Sequence, residues 1–219
     1  MNLVADGQDV QYGLLESTDI EGMVGLLADV FSRFDPPAMA VGLSFEDVRQ
    51  IVTLFGQRAP NDGLTIVARA QSSGKLVGVM LTDDFAGPPP PDIDRVAPRF
   101  DPIAAVLEGL DEQYRRVRRV VPGQFLHLFM LGVDAEFGGR GIAQALIRLT
   151  LENGKRKGFK TAVTEATGNV SQHIFRNLGF AERFRTAYME FAYQGRRPFE
   201  TIVQHEAMVL MERNLEAPA

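Results

Sequence analysis

The chain has 219 residues, 45% of them hydrophobic, enough for one sizeable core, and the length favours one domain (1–219) over two. The net charge of −5, with a short Arg cluster only at 115–119, gives no general attraction to nucleic acid or an anionic membrane, so neither is expected as a partner. The absence of cysteine excludes disulfides, thiolate zinc sites and a cysteine nucleophile. Residues 1–20 lack a basic start followed by an unbroken apolar run, and no stretch has the apolar length of a bilayer span. The expectation is a soluble, cytoplasmic protein.

In chain order, Val10 to Leu15 reads as a short strand. The "STD" at 17–19 supplies N-cap residues for a helix through "IEGMVGLLADVFSRF", with Ile20, Val24, Leu27 and Phe31 on one face. Pro36 and Pro37 in "FDPPA" stop it. Ser44, with Asp47 three residues on, opens a second helix, "FEDVRQIVTLFGQR", whose apolar side carries Ile51, Leu54 and Phe55. The period then shortens: "LTIVARA" and "KLVGVMLTD", joined by "QSSG", predict a β-hairpin.

Residues 86–98, "AGPPPPDIDRVAP", hold five prolines in thirteen positions and predict an extended, exposed loop that interrupts the domain without dividing it. After it "DPIAAVLEGLDEQYRRVRR" is strongly helical, and "QFLHLFMLGV" is an apolar run short enough for a buried strand. A glycine-rich stretch, a helix to about Lys157, the strand "KTAVTEA" and the short helix "VSQHIFRNL" follow, with a turn at Gly179. The tail, 183–195 and 200–213, alternates well enough for two final antiparallel strands. The order β, α, α, β, β, α, β, α, β, α, β, β predicts a mixed α/β sheet with a strand–glycine loop–helix unit at its centre.

That unit, "VDAEFGGRGIAQALIRLTLENG", places Gly138, Gly139 and Gly141 between a strand ending at Val133 and a helix starting near Gly141. Free N–H groups and the positive end of a helix dipole then converge where a phosphate or pyrophosphate would fit. Glycine lets such a ligand reach the backbone and tolerates positive φ. A tight turn with no ligand is the other reading. Two known phosphate patterns fail: G-x-x-x-x-G-K-[ST] lacks its Lys and hydroxyl, and G-x-G-x-x-G meets Gln144 at its last position.

"LGVDAEFGGRGIAQALI" resembles the Q/R-x-x-G-x-G/A signature of the Gcn5-related N-acetyltransferases, with Gly141 and Ala143 at the two small positions and Gly138 where Arg or Gln is usual. "NVSQHIFRNLGF" at 169–180 stands in the place of that family's second cofactor segment. "FDPPA", "PRFDPIAAVLEGLDEQY" and "EATGNVSQHIFRNLGF" narrow the resemblance to the arylalkylamine N-acetyltransferase branch. It implies a twisted, mostly antiparallel sheet of about seven strands flanked by helices, with acetyl-CoA as donor and a small-molecule primary amine as acceptor. The donor would be held by Leu131, Gly132 and Val133 at the strand end, by Gly138, Gly139, Arg140, Gly141, Ile142 and Ala143, and by Asn169 and Phe175 in the second segment.

Acetyl transfer to an amine requires a neutral amine, a polarised carbonyl and a proton for the departing thiolate. Asp35, matching the branch's acidic residue before proline, is the candidate base, with Glu165 second. Their bland readings are a solvated turn residue and a rim or capping charge. Many relatives use a tyrosine as general acid where this chain has Phe175, so Ser171, supported by Thr167, is the replacement candidate; an N-cap role for Ser171 fits equally. Tyr188 is a reserve, and His127, inside an apolar strand, reads as a hydrogen-bonded core histidine. The three histidines are widely separated, which argues against a metal. Other classes remain: a non-catalytic acyl-CoA sensor, an enzyme acting on an aminoglycoside or a protein N-terminus, or an interaction role for the proline loop. That loop is expected to cover the amine site as a flap, and a homodimer through the last strands is possible.

Overall fold

The longest apolar runs of the sequence become the middle strands of one sheet. A computed structural model describes residues 3–4, 9–93 and 96–216. Its strands are β1 (Leu3–Val4), β2 (Val10–Leu14), β3 (Ile66–Ala70), β4 (Leu76–Asp84), β5 (Phe125–Val133), β6 (Thr161–Ala166), β7 (Ala181–Ala187) and β8 (Ala207–Asn214). They form an eight-stranded sheet in the order β1-β2-β3-β4-β5-β6-β8-β7. The expected seven strands are all present, and the two-residue β1 is added at the edge. Every pairing is antiparallel except β5 with β6.

Helices α1 (Ile20–Phe34), α2 (Pro36–Val41), α3 (Phe45–Gly56), α4 (Ala59–Asp62), α5 (Asp101–Val117), α6 (Ile142–Arg156) and α7 (Asn169–Asn177) cover both faces. One core gathers α1, α3 and α5 against Val79, Leu81, Met130 and Val163; the other packs α6 and α7 against Met80, Leu126, Leu128 and Val209. α1 turns Met23, Val24, Leu27 and Ala28 inward, while Ile20 and Phe31, expected on the same face, are only partly buried. Ser44 and Asp47 form the expected reciprocal capping box on α3.

Four expectations change. The prolines end α1 at Phe34 as expected but also begin another helix: Asp35 caps it through the Ala38 N–H, with Pro36 at its first position, where a missing N–H costs nothing. Ala59–Asp62 adds another short helix. The two tail strands are shorter than expected. Between β7 and β8 the chain makes turns through Gln194 and Gly195, both at positive φ, and Pro198. Phe199 and Ile202 of this excursion enter the core. Finally, the proline-rich loop is only partly exposed: Pro90 and Val96 are buried, and the Arg58 guanidinium donates to the Pro88 carbonyl. Residues 94–95 of that loop lie outside the described part.

Candidate active site

β5 and β6 pair at only three positions, Phe125 with Thr161, Leu126 with Ala162 and His127 with Val163. Beyond them the Thr164 hydroxyl, not a backbone N–H, donates to the Leu128 carbonyl, and the strands part. On its other side β5 pairs with β4 through a one-residue bulge: Leu81 faces Met130, but Thr82 faces Leu128. The extra residue, Phe129, puts Phe129 and Met130 together on the α1–α3 face.

The phase of this ladder decides which backbone groups are open. The Asp134 N–H bonds the Val77 carbonyl, so Gly132 and Met130, in register two and four residues back, also turn their polar groups to β4. Leu131 and Val133 therefore turn theirs toward the gap left by β6. Gly132, expected to bind with them, serves packing instead: a Cβ there would lie 2.8 Å from Leu27 Cδ2.

The glycine turn completes this end. Gly139 and Gly141 have φ of +72° and +76°, the left-handed region a β-branched residue avoids, whereas Gly138 has ordinary negative φ. Gly141 is the N-cap of α6, with no side-chain cap and no acidic residue in the first turn, so the helix's leading N–H groups are unsatisfied by side chains. Ile142 offers only backbone, its side chain being buried in the core, and Ala143 lines the cavity described next. Arg140 lies over the Phe137 ring, and its guanidinium donates to the Glu136 carbonyl.

The parted strands open a cavity of about 480 Å³ walled by α1, α2, α3, α5, α7 and the tip of α6. Most of its lining is apolar, including Phe31, Phe34, Ile51, Phe100, Phe129 and Phe175. Asp35, Glu165, Thr167 and Ser171, the four predicted catalytic residues, all reach it. Among the described residues of 86–98 none lines it, and the described wall on that side begins at Phe100.

Asp35 Oδ1 accepts from the Thr167 hydroxyl at 2.6 Å and Oδ2 from the Ala38 N–H at 3.0 Å. Burial pushes its carboxyl up to about 6, against the pull of those two hydrogen bonds. The Thr167 carbonyl in turn accepts from the fully buried Tyr188 hydroxyl, and burial followed by the nearby Asp35 charge raises that phenol well above its ordinary value. Tyr188, outside the lining, thus fixes the residue that fixes Asp35. Ser171 is not the N-cap of α7, which is Gly168, but its third residue: it donates to the Gly168 carbonyl and accepts from the Gly168 N–H while lining the cavity wall. Asn169, expected to touch the donor, is exposed and held by the 204–205 segment: its side chain donates to the Gln204 carbonyl and its N–H to His205 Nδ1. Phe175 is buried against Phe180.

Sequence reasoning missed one constellation. His127 is hydrogen-bonded in the core, but to two carboxylates: Nδ1 lies 2.9 Å from Asp83 Oδ1 and Nε2 lies 2.8 Å from Glu165 Oε2. Burial works against a charged ring, yet the Glu165 and Asp83 charges outweigh it and push His127 up to about 10. A signal was present, since His127 is the one polar side chain in its strand and Glu165 the one charged residue in its own. Among the described residues no group of acidic, His or Cys side chains is arranged to hold a metal, and no helix is long and apolar enough to cross a membrane.

The parallel strand pair that splays beside a bulge, the glycine turn leading into α6 and the acid at the far wall meet at one cavity. Residues 30–180 match the sequence profile of the Acetyltransferase (GNAT) family, and the chain belongs to that family. Among solved structures, the C-terminal condensation domain of Ebony in complex with beta-alanyl-dopamine superposes with a TM-score of 0.85 at 16% identity, covering 94% of this chain and 98% of that one. Arylalkylamine N-acetyltransferase 2 from Aedes aegypti gives 0.79 at 21% identity, covering 94% and 99%. The Drosophila melanogaster polyamine N-acetyltransferase gives 0.71 at 16%, covering 94% and 99%. At these identities the likeness is one of fold.

Proposed function

We propose that the protein transfers the acetyl group of acetyl-CoA to the primary amine of a small molecule with an apolar, arylalkylamine-like body, both substrates being bound together. One observation carries this reading: the open edge of β5, the tip of α6 and the Asp35 carboxyl all face one mostly apolar cavity. Bound acetyl-CoA would supply the activated thioester. The α6 N-terminus and the Gly139–Gly141 turn suit its pyrophosphate, because they present backbone donors that no side chain obstructs. The N–H groups of Leu131 and Val133 would hold the amide-rich arm and polarise the thioester oxygen.

Asp35 takes the proton that an ammonium must lose before its nitrogen attacks. Its value near 6 leaves it mostly ionised at neutral pH, as a base must be. The nitrogen–carbon bond forms, the carbon–sulfur bond breaks, and the proton the nitrogen sheds on acylation reaches the leaving sulfur through the Ser171 hydroxyl on the wall, which gives one proton and takes one back. Tyr188, which does not line the cavity, is withdrawn from that role. Calorimetry with acetyl-CoA, followed by thiol release with tryptamine, dopamine, polyamines and aminoglycosides, tests the reading. Binding with turnover of an arylalkylamine supports it. Binding without turnover of any amine favours a sensor, and absence of binding removes the basis of the donor site.

A further inference from the structure

The cavity contains two carboxylates whose surroundings differ in charge. Asp35 accepts hydrogen bonds from neutral donors only, the Thr167 hydroxyl and the Ala38 N–H. Glu165 instead meets His127, a ring with a carboxylate at each nitrogen. Both nitrogens then have an acceptor for a proton, the arrangement that suits an imidazolium. Asp83, 33% exposed, sits at the outer end of this row, and Glu165, 6% exposed, at the cavity end. The three side chains come from three adjacent strands, β4, β5 and β6, so the ladder holds them in line. The remaining titratable group of the wall, His205, accepts the Asn169 N–H at Nδ1.

We infer that the site selects an acceptor bearing one positive charge on an apolar body, and that His127, held by Asp83, sets this selection by matching the charge of Glu165. The inference rests on the acyl-transfer reading above. A monoamine places its ammonium at Asp35 and its body on the apolar wall. An aliphatic diamine must bury a second ammonium too, either against apolar side chains or beside a carboxylate that already has a cation 2.8 Å away. Burying a charge without a free counter-charge is strongly unfavourable. His127 acts through Glu165 and is a specificity-determining residue, not a catalytic one. Removing its charge would leave Glu165 as a second anionic subsite.

The test compares hexylamine with hexamethylenediamine, which share a six-carbon chain and differ by one ammonium, using the full chain and acetyl-CoA. Wild type should favour the monoamine in kcat/KM by about tenfold or more. His127→Gln, which keeps an N–H for Glu165, should move the ratio toward the diamine by about tenfold, and the double variant His127→Gln with Glu165→Gln should move it back. Asp83→Asn, which takes one negative charge from the row and leaves His127 paired with Glu165 alone, should move the ratio further toward the monoamine and serves if His127→Gln does not fold. Equal use of both amines by wild type, or an unchanged ratio in every folded single variant, overturns the inference and leaves acetyl transfer standing. A chain that acetylates no amine at all removes both.

Discussion

The two ends of the cavity are built by different means. At the glycine end, Gly139, Gly141 and the first turn of α6 are consecutive in the chain, and the donors are backbone groups whose direction follows from φ and from ladder phase. At the acid end, Asp35 and Thr167 are 132 positions apart, and the site exists only because α2 packs against the end of β6. A backbone device tolerates most side-chain changes and fails when φ is forced. A side-chain device fails when one partner is lost. The two ends should accordingly be separable by mutation, donor binding at one and chemistry at the other.

The largest effect is expected from Asp35→Ala. It should lower kcat about a hundredfold or more by removing the base, while leaving acetyl-CoA affinity by calorimetry within about twofold. A parallel loss of donor affinity would break the separation. Gly141→Val comes next: a β-branched residue at φ +76° should weaken acetyl-CoA binding about tenfold and lower the melting temperature through backbone strain of about 1–3 kcal/mol. Unchanged binding would show that the turn is merely structural.

Thr167→Val sharpens the acid end. The Thr167 hydroxyl lowers the Asp35 value against burial, so its removal should move the acid limb of kcat/KM, expected near pH 6, to higher pH with a severalfold loss of rate at neutrality. A limb that stays in place would take Asp35 out of the rate law. Asp35→Asn gives the stability counterpart. The folded value of about 6 lies above the ordinary 3.8, so this group's contribution is complete below about pH 4 and declines as pH rises through 6. The Asn variant should therefore gain stability over wild type as denaturant melts move from pH 4 to pH 8. The smallest effect is expected from Tyr188→Phe: about 1 kcal/mol of stability for the lost bond to the Thr167 carbonyl, and a modest drop in kcat without change in donor affinity.

Much of this was legible in order of locality. Helix caps such as Ser44 with Asp47, the hairpin, the strand before the glycine turn and the helix after it depend on neighbours within four residues, and the sequence carries them openly. Asp35 was readable as a residue before two prolines, though not as the cap that turns those prolines into a helix start. Gly132 was misread because the phase that turns its N–H to β4 is set by Asp134 meeting Val77, a pairing no local pattern reveals. The partners of Asn169, Gln204 and His205, were hidden because they lie in an excursion whose alternation looks like strand. The Asp83–His127–Glu165 row was hidden for the same reason: each polar residue is visible alone, but only strand order and a bulged register bring the three side by side.

By itself the sequence determined the class of fold and the strand–glycine–helix unit, since period, capping and positive φ are written in consecutive residues. Tertiary structure alone decided which β5 backbone groups stay open, how Thr167 meets Asp35, and that one of the cavity's two acids lies beside a histidine. Those outcomes depend on register and on burial, and both arise only when distant segments pack.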